Sequence, residues 1–283
     1  MPNRPAQPML NILFLGDIFG KVGRRIVARE LGGMRRAHNL DFVIANGENC
    51  AAGVGITPKI MQSLFDLGID VLTGGNHIFQ NKDILPIMSV EPRLLRPANF
   101  PPKAPGYGYG VYPTKSGAEI AVINLQGRVF MDPIDCPFRT ADALITKIEQ
   151  DQGKIPIIVD FHAEATAEKR AMGYYLDGRV SAVIGTHTHV PTADETLLPK
   201  GTAYISDIGC CSALNSVIGV EIEKSIELMT TAMPVRLTPQ KGRGVLMGVL
   251  LQLEGEKACQ PPQRIYILEE EDVEAEPEGG SDD

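Results

Sequence analysis

Five times along this chain a short apolar run breaks into a polar turn. Met9 to Leu15 (MLNILFL) stops at Gly16-Asp17, and Phe42 to Ala45 stops at Asn46-Gly47-Glu48-Asn49. Val71 to Thr73 stops at Gly74-Gly75-Asn76-His77. Ile155 to Asp160 runs into Phe161-His162, and Val180 to Ile184 into Gly185-Thr186-His187-Thr188-His189. Short apolar runs bounded by turn residues read as buried strands. Between them lie helical periodicities. Gly23 to Arg36 carries Ile26, Val27, Leu31 and Met34 on one side, and Thr57-Pro58 opens a helix that Gly68 stops. Lys82 to Met88, Thr140 to Gln150 and Ala163 to Leu176 complete the set. Strand alternating with helix implies a parallel sheet with helices packed on it, and such sheets bind ligands outside the carboxyl ends of their strands.

The second half is less regular. Phe100 to Gly110 is a Pro/Gly/Tyr loop. Gly201 to Ser206, Arg243 to Leu253 and Arg264 to Leu268 read as strands, with Glu221 to Met229 the one helical candidate among them. This leans toward antiparallel pairing and suggests a second sheet packed on the first. Residues 1–268 are expected to form one domain. Residues 269–283 hold nine acidic side chains and no Lys or Arg, a composition that cannot build a core, and disorder is expected there.

That acidic segment accounts for the formal net charge of −8, so the remainder is close to neutral. No broad basic face for duplex nucleic acid or an anionic membrane is expected. Five cysteines, an odd count with no C-x-x-C pair, fit a reducing compartment. With no secretion signal and no apolar run long enough for a bilayer, a soluble, cytoplasmic protein is expected.

The chemistry sits at the strand ends. Asp17, Glu48, Asn49, Asn76, His77, His162, His187 and His189 all fall there, whereas His38 lies at a helix end beside basic residues. Strand ends of one sheet converge in space. Imidazole, carboxylate and amide donors without a thiolate suit Fe, Mn, Zn or Co better than copper(I) or an iron–sulfur cluster. Without His77, the three imidazoles, two carboxylates and two amides make seven ligands, which exceed what one zinc takes and suit two ions sharing a bridge, for which Glu48 is the natural choice. His187 and His189 alternate, so an extended backbone turns both to the same side.

Taken singly, each site has a plainer reading. Gly16-Asp17 and Asn46-Gly47 are ordinary turn pairs, and His162 alone reads as a hydrogen-bonded core histidine. The order of all of them is the stronger signal. Two phosphate-loop and hydrolase motifs fail. Gly16 to Lys21 has three residues between its glycines and Val22 where a hydroxyl is needed, and no G-x-S-x-G is present. Cys50 reads as a neutral filler, and Cys210 and Cys211 as packing residues.

The order Gly-Asp, Gly-Glu-Asn, Gly-Asn-His, a lone strand-end His and Gly-x-His-x-His resembles the calcineurin-like metallophosphoesterases, and within them the small bacterial YmdB-like phosphodiesterase branch. The resemblance runs from Leu10 to about Leu268. It implies an α/β fold, a four-layer αββα sandwich of two mixed sheets flanked by helices. It implies a first metal on Asp17, Glu48, Asn49 and His189, a second on Glu48, Asn76, His162 and His187, and His77 as the acid near the leaving group. Where the wider family has Asp-x-His, Asp17 is followed by Ile18 and Phe19. The wider family's bridging Asp is here Glu48. The YmdB-like branch shares both departures. The resemblance further implies iron, with Mn or Zn fitting the same donors, and hydrolysis of cyclic nucleotides, 2′,3′-cyclic first and 3′,5′-cyclic second.

Charge counting agrees with a diester. Two divalent ions, two carboxylates and a bridging hydroxide leave a single positive charge, matching a phosphodiester. No Lys or Arg lies inside the motifs to hold a monoester's second charge. Tyr107, Tyr109, Phe130, Tyr174 and Tyr175 are candidates for stacking on a base. A small nucleotide diester is the expected partner, with RNA and homo-oligomer assembly left open. The alternatives are a phosphatase or nuclease on the same metals, or a regulator that binds nucleotide or RNA without turnover.

Overall fold

The computed structural model describes residues 9–270. The chain forms β1 (Met9–Leu15), β2 (Asp17–Ile18), α1 (Gly20–Ala37), β3 (Phe42–Asn46), α2 (Pro58–Asp66), β4 (Val71–Thr73) and α3 (Leu85–Met88). Next come β5 (Tyr109–Pro113), β6 (Glu119–Gln126), α4 (Pro137–Gln152), β7 (Ile157–His162), α5 (Thr166–Leu176) and β8 (Ala182–Thr186). The last third gives β9 (Thr196–Leu197), β10 (Ala203–Ile205), β11 (Cys210–Ala213), α6 (Ile222–Thr231), β12 (Gly244–Glu254), β13 (Lys257–Ala258) and β14 (Gln263–Leu268).

Two mixed sheets result. The first runs β2-β11-β12-β1-β3-β4, with β13 and β14 also paired to β12. The second runs β5-β6-β7-β8-β10-β9. Strand periodicity assembles the layers. Leu10, Ile12 and Phe14 of β1 point between the sheets, where they meet Ile120 and Val122 of β6 and Ile158 of β7. The alternate residues Leu13 and Leu15 face Ile26, Val27 and Leu31 of α1 and Met61 and Leu64 of α2. On the far side, Ile123 and Val159 face Ala141 and Ile145 of α4 and Met172 of α5. Helix, sheet, sheet, helix is therefore the order of layers. Each fully buried Ile, Leu or Phe contributes about 1.5–3 kcal/mol, so these two-sided strands supply most of the cohesion.

Both sheets are parallel where it matters for a site. β1, β3 and β4 run together, as do β6, β7, β8 and β10. Local signals explain the boundaries. Thr57 caps α2 by accepting from the Ile60 amide at 3.2 Å, with Pro58 in the first turn. The expected helix at Lys82 is a 3₁₀ turn over Lys82–Ile84 followed by the single turn of α3.

Three expectations change. Of the strands in the last third, β9 and β10 join the second sheet, but the long antiparallel ones do not build it. β12 returns to the first one, pairing β1 from Met9↔Glu254 to Leu15↔Gly248, a long-range partner that local pattern does not encode. The second sheet is instead mostly parallel. The irregular loop 100–110 overlaps an edge strand, β5, and the short strand β11 has no apolar run of its own to announce it. Glu269, placed in the tail by composition, is bound to the fold: its carboxylate meets Arg25 at 2.7 Å and accepts from the Gly244 amide at 2.6 Å. Of the expected disordered tail, residues 271–283 lie outside the described residues. No described helix is long and apolar enough to cross a membrane.

Candidate metal centre

The eight strand-end residues named from sequence come together at one rim. β2 delivers Asp17, the turn after β3 delivers Glu48 and Asn49, and the turn after β4 delivers Asn76 and His77. His162 is the last residue of β7, and His187 and His189 follow β8. Asp17, Glu48, Asn49, His162 and His189 are buried.

Two groups of donors share Glu48. In one, His162 Nε2 lies 3.0 Å from Glu48 Oε1, 3.1 Å from Asn76 Oδ1 and 3.0 Å from His187 Nδ1. A single nitrogen carries at most one proton, which cannot satisfy three acceptors. Donor atoms bonded at about 2.1 Å to one cation stand about 3.0 Å apart on an octahedral edge, the spacing seen here. In the other group, Asn49 Nδ2 lies 3.4 Å from Asp17 Oδ1, 3.3 Å from Glu48 Oε1 and 3.2 Å from His189 Nε2. Asp17 Oδ1 and His189 Nε2 are 3.6 Å apart.

His162, His187 and His189 each turn one nitrogen inward and hand the other to an oxygen. Thr186 Oγ1 donates to buried Asp160 at 2.7 Å, so its lone pair accepts the Nδ1 proton of His162 at 2.9 Å. His187 places Nε2 3.2 Å from Glu164 Oε2. His189 Nδ1 donates to the Ile218 carbonyl at 2.8 Å. Outer oxygens of this kind fix the tautomer and aim the inner lone pair, the arrangement that metal-ligating imidazoles adopt. Gly75 keeps the cradle open: a Cβ there would lie 2.2 Å from His162 Nε2 and 2.4 Å from a Glu48 oxygen. The donor set thus fits metal ions.

Electrostatics agree. Burial alone lowers His162, but the adjacent Glu48 carboxylate overrides it and raises the imidazole to about 9. A proton is thus held where a cation fits. Burial and neighbouring His162 push His187 down to about 3, so its lone pair is free. Burial raises Asp17, yet His189 outweighs it and holds the carboxylate below its usual range. Glu48 is likewise lowered, burial being outweighed by His162. Burial lifts Asp160 to about 7.

Two sequence arguments need correction. His187 and His189 do not alternate on an extended backbone. Their φ angles are 101° and 65°, because the loop is pinned from behind. Lys169 Nζ donates to the Thr186 carbonyl at 2.8 Å and to Asp207 at 2.6 Å, and Asp207 accepts from the Thr188 amide at 3.0 Å. The two histidines consequently serve different groups. The tyrosine candidates also fail. Tyr107 donates to the Ser89 carbonyl, Tyr175 donates to Asp142, Tyr174 lies under Arg170, and neither Tyr109 nor exposed Phe130 lines the cleft over the cluster. The aromatic there is Phe19, whose ring meets His189 edge-on at 5.5 Å between centroids. Burial pushes the thiols of Cys50, Cys210 and Cys211 up and keeps them neutral fillers.

The cleft has a volume of about 450 Å³ and is lined by Phe19, Glu48, Asn49, His77, Glu164, His187 and His189, with Val54, Ile218, Val220, Leu237 and Pro239 on the wall. Its lining includes no Lys or Arg. His77 donates its backbone N–H to Glu48 Oε2 at 3.0 Å, and its buried Nδ1 has no hydrogen-bond partner among the described residues.

A family model described as YmdB-like protein matches residues 13–265. The chain belongs to the YmdB-like family. This YmdB-like chain is 45% identical over 260 residues to the 2′,3′-cyclic-nucleotide 2′-phosphodiesterase of Bacillus subtilis, spanning 91% of the chain and 97% of that relative. It is 35% identical to a putative phosphatase/phosphodiesterase of Mycoplasma pneumoniae, over 93% of the chain and 94% of the relative. Among solved structures, a hypothetical protein from Thermus thermophilus superposes with a TM-score of 0.86 at 37% identity, covering 92% of this YmdB-like chain and all of the other. A structure described as a novel phosphatase from Mycoplasma pneumoniae also gives 0.86, at 34% identity over 94% and 96% of the two chains.

Proposed function

We propose that this chain is a metal-dependent phosphodiesterase that opens 2′,3′-cyclic nucleotide monophosphates, with 3′,5′-cyclic nucleotides as second substrates. The observation that carries the reading is the pair of donor groups sharing Glu48 beneath a cleft with no cationic side chain. The B. subtilis relative's named activity supports it.

Asp17, Glu48, Asn49 and His189 would hold one ion, and Glu48, Asn76, His162 and His187 the other. Bound there, two divalent cations supply Lewis acidity toward the phosphate oxygens and make a water acidic enough to attack at neutral pH. Imidazole, carboxylate and amide donors suit Fe, with Mn and Zn next. The chain's own groups do the rest. The buried carboxylates offset part of the cation charge, leaving a balance suited to a monoanionic diester. His77, on the cleft wall, would give a proton to the departing O2′ of the ribose as the P–O2′ bond breaks and a water oxygen bonds to phosphorus; the proton that this water loses would pass to solvent, from which His77 regains its own. The free cysteines fit the cytoplasm.

Turnover of 2′,3′-cyclic AMP, 3′,5′-cyclic AMP, bis(p-nitrophenyl) phosphate and p-nitrophenyl phosphate tests this reading. Diesters should react far faster than the monoester. A preference for the monoester would make the chain a phosphatase, and no turnover of any would make it a binding protein.

A further inference from the structure

Ile218 occupies a position that its side chain resists. Val217 and Val220 exchange backbone hydrogen bonds of 3.0 and 2.9 Å, and the two residues between them, Ile218 and Gly219, have φ of 49° and 100°. This is the pattern of a type I′ hairpin turn, whose first central position favours Asn, Asp or Gly. A β-branched residue with positive φ is a genuine outlier, and outliers of this kind cluster at functional sites.

The surroundings hold the turn in place. The Gly219 amide donates to Ser216 Oγ at 2.9 Å, and its carbonyl accepts from the Gln240 amide at 2.8 Å. The Phe19 ring lies flush on Gly219, where a Cβ would approach it to 2.6 Å. The Ile218 carbonyl meanwhile accepts from His189. A glycine or asparagine would supply that carbonyl without strain, so the carbonyl does not explain the isoleucine. What the side chain adds is a half-exposed aliphatic surface on the cleft wall, continuous with Val54, Val220, Leu237 and Pro239.

We propose that this aliphatic wall is the seat of the substrate's nucleobase, and that Ile218 is kept in its strained turn to grip it. The inference rests on the phosphodiesterase reading above and names where the rest of the substrate goes. A nucleobase has apolar faces and a polar edge. The wall offers aliphatic side chains, with the hydroxyl-bearing Thr188 and Thr238 beside them. The absence of Lys and Arg disfavours a second phosphate or a nucleic-acid backbone in the same space. The cleft volume lies within the range of small-molecule sites, about 300–1,000 Å³. Recognition by aliphatic surface reads area and not hydrogen-bonding pattern, so purine should be preferred to pyrimidine by a modest factor.

Two variants test the proposal, Ile218→Asn and Ile218→Gly, both compatible with positive φ and both retaining the carbonyl for His189. Their melting temperature should equal or exceed that of the parent, and metal content should be unchanged. Kinetics are compared on 2′,3′-cyclic AMP and on the base-free 2′,3′-cyclic phosphate of 1-O-methylribose. The loss in kcat/KM should be at least about ten-fold greater for the nucleotide than for the base-free diester, the size expected when a few apolar contacts are removed, and should fall mainly in KM. Equal losses on both substrates, or none on either, overturn the seat. Should the parent turn over no cyclic nucleotide, the phosphodiesterase reading fails by itself. Calorimetric binding of adenosine 3′-monophosphate then decides the seat: weakening by ten-fold or more in both variants upholds it, and unchanged binding overturns it.

Discussion

Glu48 and His162 form a buried pair, 3.0 Å between Oε1 and Nε2, that joins the two sheets of the sandwich at its rim. Glu48 comes from the turn after β3 in the first sheet, and His162 ends β7 in the second. Glu48 Oε1 also meets Asn49, and its Oε2 receives the His77 amide. One carboxylate thus touches both donor groups and the proposed acid's backbone.

Glu48→Gln removes the negative charge from that junction. The expected outcome is loss of at least one metal equivalent and a fall of roughly 10²-fold or more in diester hydrolysis, since carboxylates bind hard cations better than amides do. Metal analysis beside kcat checks it; a variant with full metal and near-parental rate would exclude Glu48 as the shared ligand.

His162 sets the pH dependence. Its pKa is raised from 6.5 to about 9 in the metal-free fold. The pair with Glu48 therefore contributes fully below about pH 6.5 and is lost as pH rises through about 9. Metal takes the same lone pair, so binding displaces the proton and affinity should climb with pH over that window. His187, lowered to about 3, releases no proton near neutrality. Calorimetry near pH 7.5 in buffers of different ionisation enthalpy should show at least about one proton released per chain, from His162 and in part from His189, which burial lowers but Asp17 raises on balance; none released would contradict the assignment.

Lys169 and Asp207, both 1% exposed, tie the loop bearing His187 and His189 to α5. Lys169→Met leaves Asp207 buried with no cation beside it and should destabilise the protein by roughly 3–5 kcal/mol. Urea unfolding measures this. A cost under about 1 kcal/mol would mean that the loop is held by its backbone alone.

His77→Ala separates the proton donor from the ligands. The variant should keep its metals and lose roughly 10²-fold on a cyclic nucleotide, whose ribose leaving group needs a proton. Bis(p-nitrophenyl) phosphate, with a leaving group stable as an anion, should suffer far less. Equal losses on both, accompanied by metal loss, would reduce His77 to a buttress of the Asn76 turn.

The ligand-type residues were legible because each stands where an apolar run breaks, but the ends of one sheet do not supply them all: Asp17, Glu48 and Asn76 come from the first sheet and His162, His187 and His189 from the second, and the two sets meet because the sheets pack with these strand ends at the same rim. Their supports were not legible. Glu164, Thr186 with Asp160, and Lys169 with Asp207 act through side chains, and Ile218 through its backbone carbonyl; all depend on tertiary packing, and none has a local pattern. Ile218 was the hardest to see, since its residue type argues against the turn it occupies. The placement of β12 beside β1 failed for a related reason: antiparallel character is visible in sequence, but the choice of sheet is made across more than two hundred residues. The boundary at Glu269 failed because composition counts charge and cannot see Arg25 waiting for it.

The most direct measurement is the rate of 2′,3′-cyclic AMP hydrolysis by chelator-stripped protein as Fe(II) or Mn(II) is added back under anaerobic conditions. The two-centre account predicts negligible rate without metal and a rise that saturates near two equivalents per chain. Full activity in the metal-free protein would contradict it.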